Sequence, residues 1–112
     1  MLYVQSASAV EDKIFQALAD PSRRAIFESL TRGEAAVKDL RARFDISQPA
    51  VSQHLATLKG AGLVKGRREG RCVYYRVEPR GMKPLIDWIA HYRAFWTENA
   101  TRLEKLLEKM DE

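Results

Sequence analysis

The segment at residues 45–77 constrains the fold most strongly, because it joins a short amphipathic helix to a basic hairpin. Ser47 is a good candidate for the helix N-cap, and Pro49 lies in the first turn, where a missing amide hydrogen costs nothing. Val51, Leu55 and Leu58 then recur at helical spacing and form one apolar stripe. The segment therefore predicts a short helix with one buried face.

The opposite face of this helix is small, uncharged and rich in hydrogen-bonding groups. Gln53 points almost directly away from the apolar stripe, and Gln48, Ser52 and His54 lie on its flanks. A solvated helix more usually carries Lys and Glu there, whereas a face that enters the DNA major groove needs small residues and amide or hydroxyl groups. The pattern predicts a DNA-reading helix. Gln53 is its leading residue, while the position of His54 suits either DNA contact or half-burial.

Two short strands are predicted after the helix, at residues 63–69 and 72–77. Gly70-Arg71 between them is a Gly-X pair suited to a type II′ hairpin turn. Alternation places Val73 and Tyr75 on one face of the second strand and Cys72 on the other. Helix and hairpin together are the arrangement of a winged helix-turn-helix.

Positive charge is concentrated at this hairpin. The whole chain has a formal net charge of +4. Residues 59–80 hold seven basic residues against two acidic ones, so this stretch carries +5 and the rest of the chain sums to −1. The basic residues are Lys59, Lys65, Arg67, Arg68, Arg71, Arg76 and Arg80. Such clustering is expected of a surface that contacts phosphates, the alternative being a solvated hairpin rich in arginine.

Three further helices are predicted upstream of the reading helix. They lie within residues 1–19, at 21–30 and at 37–44. Only residues 45–47 separate the third helix from the fourth. A three-residue turn between two short helices is the helix-turn-helix spacing, and its second helix reads DNA.

A long helix is predicted for residues 82–110, where apolar residues are spaced alternately by four and three. A helix of about 29 residues would be roughly 43 Å long, more than a small body can cover. We therefore expect pairing with the same helix of a second copy, although packing within its own chain is the alternative. The seam residues predicted at this dimer interface are Leu85, Ile89, Tyr92, Trp96, Asn99, Leu103 and Leu106.

Several classes of protein are not indicated by the sequence. The sequence has no run of 18 apolar residues that could span a membrane, and no secretory signal is visible. Its single cysteine, Cys72, cannot form an internal disulfide. We therefore expect a cytoplasmic protein. No catalytic triad, phosphate-binding glycine loop or pair of carboxylates has a usable spacing, so we expect no enzymatic activity and no cofactor.

These motifs resemble those of the ArsR/SmtB family of bacterial winged helix-turn-helix transcriptional repressors. The resemblance rests on FQALADPSRRAIFESL (15–30), ISQPAVSQHLATLKGAGLV (46–64) and REGRCVYYRV (68–77), and it covers most of the chain. It implies a homodimer, joined through the first and last helices and including Val10 and Ile14, that binds an inverted repeat in promoter DNA. The predicted DNA contacts are Ser47, Gln48, Pro49, Ser52, Gln53, His54, Lys59, Arg67, Arg68 and Arg71.

The predicted fold is mostly α-helical with a β-hairpin, in the order α-α-α-α-β-β-α. We expect one dimeric domain across residues 1–112. Within it, the helix-turn-helix occupies 37–61, the wing 63–77 and the dimerisation helix 82–110.

Many family members sense metals, and this chain departs from their motifs. Where they have Cys-x-Cys-Asp-Leu, residues 36–40 read AVKDL. In the last helix Ile89 stands where a second family site has histidine, and Asp87 with His91 gives too few ligands for a metal site. The sequence predicts a repressor from a subgroup without the usual metal site. The alternatives are sensing through another metal site or through oxidation of Cys72, and a winged-helix module that binds protein instead of DNA.

Overall fold

The computed structural model describes residues 6–111, with side chains at 10–95 and 97–111. Within that range the chain forms six α-helices, one 3₁₀ helix and three β-strands. Their bounds are α1 Ser6–Ala19, α2 Pro21–Thr31, β1 Ala35–Ala36, α3 Val37–Phe44, α4 Gln48–Gly60, β2 Val64–Glu69, β3 Cys72–Val77, the 3₁₀ helix Pro79–Met82, α5 Lys83–His91 and α6 Arg93–Asp111. This order confirms the winged helix-turn-helix fold. Across residues 6–111, no helix has both the length and the apolar character needed to cross a membrane.

Side-chain caps determine where α2 and α4 begin. A carboxylate oxygen of Asp20 accepts a hydrogen bond from the backbone N–H of Arg23 at 3.0 Å. At α4, the hydroxyl of Ser47 accepts from the backbone N–H of Ala50 at 3.2 Å. The turn between α3 and α4 passes through Asp45, whose φ of 49° is left-handed. Together, the turn and the Ser47 cap set the start of α4.

One apolar core joins α1–α4 to the wing. The predicted stripe of α4, formed by Val51, Leu55 and Leu58, is 0% exposed, so its assignment to the buried side is confirmed. The other large side chains of the core are Ile14, Ile26, Phe27, Leu30, Leu40, Leu63 and Val64. Burial of a side chain of this size stabilises the fold by about 1.5–3 kcal/mol, so the core holds α4 firmly in place.

The wing is a three-stranded antiparallel sheet in the order β1-β3-β2. The β2–β3 register ends at the pair Glu69 and Cys72, which leaves a two-residue turn with φ 62° at Gly70. On the other side of β3, Ala35 pairs with Tyr75, so the segment that enters α3 is hydrogen-bonded to the wing. β1 is not among the predicted strands, because two alanines show neither alternation nor β-branching.

The prediction of one continuous helix at 82–110 is wrong, since the chain breaks between α5 and α6 at Tyr92. There the backbone N–H bonds to the carbonyl of Ile89 at 3.2 Å, in a tighter turn than an α-helix. The rings of Phe15 and Trp88, 5.5 Å apart and nearly perpendicular, hold α5 against α1. The break follows directly after this packed segment. Neither proline nor glycine lies there, so the heptad pattern carried no signal for it.

Large apolar side chains remain exposed on α1, α5 and α6. Their exposed fractions run from 38% to 73%, and the residues are Val10, Phe15, Ile86, Ile89, Tyr92, Phe95, Leu103, Leu106, Leu107 and Met110. The molecule is 62 Å long against 37 and 22 Å in the other directions. Large apolar side chains exposed in such number on neighbouring helices mark an interaction surface.

Not every predicted interface residue lies on this exposed face. Ile14 is 0% exposed and belongs to the core of its own chain, because the helical period of α1 turns it inward. Its assignment to a surface that a second copy could touch is therefore corrected. Leu85 is partly buried against the same core, and Asn99 is half-buried, with its amide donating to the carbonyl of Phe95 at 2.8 Å. The side chain of Trp96 lies outside the described residues.

Candidate nucleic-acid interface

The outer face of α4 is open to solvent. Gln48, Pro49, Ser52 and Gln53 are all exposed, on the side opposite the buried stripe. Within the described part of the chain, the side-chain amide of Gln53 makes no hydrogen bond, so its donor and its acceptor are both available. Ser47 is also exposed, although its hydroxyl is already used as the helix cap. This face can therefore reach base edges without first breaking internal contacts.

His54 lies on the flank of α4 and is half-buried. Its Nδ1 is buried and, among the residues described, has no hydrogen-bond partner. The pKa of Asp20 is lowered chiefly by the backbone N–H of Arg23 and to a smaller extent by the nearby charges of Arg23 and His54. His54 therefore lies near Asp20, the N-cap residue of α2. Half-burial agrees with its position in the sequence, while DNA contact by His54 stays a prediction.

Arg67 is held by carboxylates on both sides. Its Nη2 lies 2.6 Å from Oε1 of Glu34, its Nε lies 3.0 Å from Oε2 of the same residue, and its Nη1 lies 2.8 Å from Glu69. The guanidinium carbon also lies 4.7 Å from the ring centre of Tyr74. These hydrogen bonds raise the pKa of Arg67 above its ordinary value, and the one from Arg67 holds the pKa of Glu34 below its usual range. The bidentate pair ties the wing to the residue that precedes β1.

The other basic residues of the wing fall into two groups. Lys65 and Arg76 share one carboxylate, Glu78, at 3.3 and 3.8 Å, and the pKa of Glu78 is lowered mainly by the hydrogen bond from Lys65. Arg68 and Arg71 are exposed and have no carboxylate partner among the residues described. Only part of the positive charge counted in the sequence is therefore unneutralised.

A cleft of about 290 Å³ lies between α3, the first turns of α4 and the wing. Its polar lining is Lys38, Arg41, Gln48, Ser52, Arg71 and Cys72, and its apolar lining is Ala36, Val37, Val73 and Tyr75. We call it the basic cleft. Lys38 and Arg41 were absent from the residues predicted to bind DNA. Their three-residue spacing on α3, which places both on one face of that helix, was the signal that could have found them.

Comparison with known proteins decides the family. Residues 18–67 match a family described as a helix-turn-helix domain. The HTH-type transcriptional regulator Rv2034 of Mycobacterium tuberculosis is 41% identical over 97 residues, which cover 87% of this chain and 88% of that protein. The chain belongs to the ArsR/SmtB family. As a member of this family it is a DNA-binding transcriptional repressor, and the resemblance seen in its motifs is confirmed.

Two more relatives support the same assignment. The arsenic resistance transcriptional regulator ArsR1 of Pseudomonas putida is 42% identical over 101 residues, covering 86% of this chain and 79% of that protein. An ArsR family transcriptional regulator of known crystal structure is 32% identical in sequence to this chain. The two superpose with a TM-score of 0.73, covering 85% of this chain and 97% of the other. Sequence and fold thus place this chain among the ArsR/SmtB transcriptional regulators.

Asp87 and His91, which the sequence analysis considered as metal ligands, make other contacts here. Asp87 forms an ion pair with Lys83, with 2.7 Å between Oδ2 and Nζ. The ring of His91 packs edge-on against Tyr92 at 4.8 Å. Over the described residues, no three His, Cys, Asp or Glu side chains come close enough together to hold a metal ion.

Proposed function

We propose that this ArsR/SmtB repressor binds an inverted-repeat operator as a homodimer, with α4 of each copy in the major groove and each wing over the flanking backbone. The observation that carries the proposal is the exposed, uncharged, hydrogen-bonding face of α4 beside the unpaired arginines Arg68 and Arg71. Amide and hydroxyl groups read base edges, whereas arginines outside the groove attract phosphates without reading sequence.

The apolar side chains exposed on α1, α5 and α6 support the homodimer. Two copies that bury this face against each other would form a two-fold assembly, and its two reading helices would enter successive major grooves about 34 Å apart. On this proposal the chain is a single domain. Its helix-turn-helix lies at 37–61, its wing at 63–77, and its dimerisation segment comprises α5 and α6.

We divide the predicted DNA contacts by what each side chain can do. Gln48, Ser52 and Gln53 read bases, while Ser47 and Pro49 shape the start of α4 close to the DNA. Lys59, Arg68 and Arg71 contact phosphates. We assign Arg67 a structural role, which is to hold the wing in position, because three of its donor groups are already bonded to carboxylates. No catalytic step or cofactor enters this function, and its site of action is the bacterial cytoplasm, where promoter DNA lies.

The reading role of α4 is tested with Gln53→Ala. We expect operator affinity to fall about tenfold and affinity for random duplex to stay within about twofold, because a bidentate amide contact discriminates between bases by about 1–3 kcal/mol. The measurement is a pair of binding titrations, one with operator fragments selected from the source genome and one with scrambled DNA. Gln16→Ala, which removes an exposed amide from α1, is the matched control. Equal losses on both duplexes would reject a base-reading role for Gln53.

The division of the wing arginines is tested by comparing Arg68→Ala with Arg67→Ala. We expect Arg68→Ala to flatten the slope of log affinity against log salt by about two units, one for each copy in the dimer, because it removes a phosphate contact. Arg67→Ala should leave that slope near the wild-type value and should lower the thermal midpoint instead, as should Glu34→Gln. If both arginine variants flattened the slope equally, Arg67 would be a phosphate contact.

The pH dependence of this wing contact follows from Glu34. Because the folded-state pKa of Glu34 is lowered, its bond to Arg67 contributes stability above the ordinary glutamate pKa. That contribution is lost as the pH falls through the lowered value. The wing contact is therefore present at neutral pH, where the binding titrations are made.

A further inference from the structure

The basic cleft concentrates cations that the described residues do not neutralise. Lys38, Arg41 and Arg71 line it, and across the described residues none of the three has a carboxylate partner. Nearby cations already have polar partners, since Arg67 is bonded to Glu34 and Arg43 donates to the hydroxyl of Ser29 at 2.8 Å. Three unpaired cations around one opening produce a local positive potential that favours an anion.

The acidic residues near α3 do not change this balance inside the cleft. No Asp or Glu is among the residues that line it. Lys38 and Arg41 also border a neighbouring depression that contains Asp45, so one carboxylate lies close to the outer side of these two residues. Neither Lys38 nor Arg41 forms an ion pair with Asp45 within the described residues, and both side chains are exposed. They are therefore free to turn toward an anion.

The remaining lining groups match a phosphate. The amide of Gln48 and the hydroxyl of Ser52 can donate hydrogen bonds to phosphate oxygens, and two guanidinium groups can each offer two parallel donors. These groups come from α3, α4 and the wing, so the site forms only in the folded domain. On the proposed function, the DNA read by α4 and contacted by the wing lies beside this opening, because residues of both elements line it.

We propose that the basic cleft binds a phosphate of the DNA backbone between the reading helix and the wing, with Lys38 and Arg41 as phosphate contacts. This inference rests on the proposed function. It adds α3 to the DNA-binding surface and gives Arg71 a specific partner. Because the three cations share one phosphate, that phosphate fixes the position of the wing relative to α4.

Cys72 supplies a reporter inside the same cleft. It is the only cysteine of the chain and is half-buried in the lining. Iodoacetamide and iodoacetate both alkylate a thiolate with loss of iodide. They leave adducts of nearly equal size, but only the adduct from iodoacetate is negatively charged. Comparing the two adducts therefore distinguishes an effect of filling the cleft from an effect of repelling a phosphate.

The first experiment measures alkylation of Cys72 in the wild-type dimer, with and without operator duplex at low salt. We expect the duplex to slow the reaction with iodoacetamide at least about fivefold, because the bound strand covers the cleft. Protein carrying the charged adduct should bind operator about tenfold more weakly than protein carrying the neutral adduct, because its carboxylate repels the phosphate. Cys72→Ser is the control, and its affinity after treatment with either reagent should equal its affinity before treatment.

The second experiment removes the cations of α3. We expect the double variant Lys38→Gln/Arg41→Gln to lose about tenfold in affinity for operator and for random duplex alike, with a salt slope flatter by at least about one unit. Glutamine is a good helix former, so α3 should stay folded, and circular dichroism checks this. Lys105→Gln, which removes an exposed charge from α6, is the matched control and should bind as the wild type does.

The outcomes separate this inference from the function on which it rests. If wild-type protein binds no duplex at low salt, the proposed function falls and the cleft proposal falls with it. If it binds operator but Cys72 reacts at an unchanged rate and the double variant keeps its affinity, only the cleft proposal is overturned. Slower alkylation with free inorganic phosphate, together with an unchanged rate on operator duplex, would assign the cleft to a small phosphate ligand and would also overturn the proposal.

Discussion

Replacing Leu103 with glutamate is expected to leave the chain folded but monomeric and to weaken operator binding about 100-fold, because a monomer can engage only one half-site. Leu103 lies on α6 and is 55% exposed, so the change removes little from the core of its own chain. In a two-fold interface the same substitution places two like charges on apolar surface, where an unpaired charge is strongly disfavoured.

Oligomeric state and DNA affinity should be measured on the same preparation. Light scattering after size exclusion gives the mass, circular dichroism checks the helices, and a titration with the selected operator gives the affinity. Thr101→Glu is the matched control, because it adds the same charge to an exposed position on the opposite side of α6. A dimeric Leu103→Glu variant with full affinity would move the interface away from α6.

Raising the salt concentration from 50 to 200 mM is expected to lower operator affinity about 1,000-fold, because in the proposed complex each copy neutralises about three phosphates and the slope of log affinity against log salt is then near −5. The three phosphates are those at Lys59, at Arg68 and in the basic cleft. Titrations at four or more salt concentrations measure the slope directly.

Two other slopes would contradict this count. If all seven basic residues between 59 and 80 released counterions in both copies, the slope would be near −13, and the ion pairs of Arg67, Lys65 and Arg76 would have to open on DNA. A flat response would remove the phosphate contacts altogether. The measurement therefore distinguishes between charge counted in the sequence and charge that the folded protein leaves unpaired.

The parts of this structure that local sequence determines were predicted well. Ser47 caps α4, and the stripe of Val51, Leu55 and Leu58 is buried, because capping and helical period depend on residues within a few positions of one another. The hairpin and its turn at Gly70 follow from equally short spacings. Features of this kind need no knowledge of the rest of the fold.

The parts that depend on distant contacts were missed. Glu34 and Arg67 are 33 positions apart, and nothing in either segment indicates that they form a bidentate pair. The break at Tyr92 depends on where packing against α1 ends, and the cleft exists only where α3, α4 and the wing meet. Lys38 and Arg41 therefore looked like ordinary surface residues until the fold placed them beside Arg71.

The interruption at Tyr92 is the joint between α5 and α6. The 19 residues of α6 extend about 28 Å beyond it, so a change of about 10° at the joint would displace the tip of the helix by roughly 5 Å. The ring contact between Phe15 and Trp88 keeps the near side attached to the body. In the proposed homodimer, a few substitutions around this joint would thus change the orientation of one copy relative to the other, while the exposed side chains of α4 stay as they are.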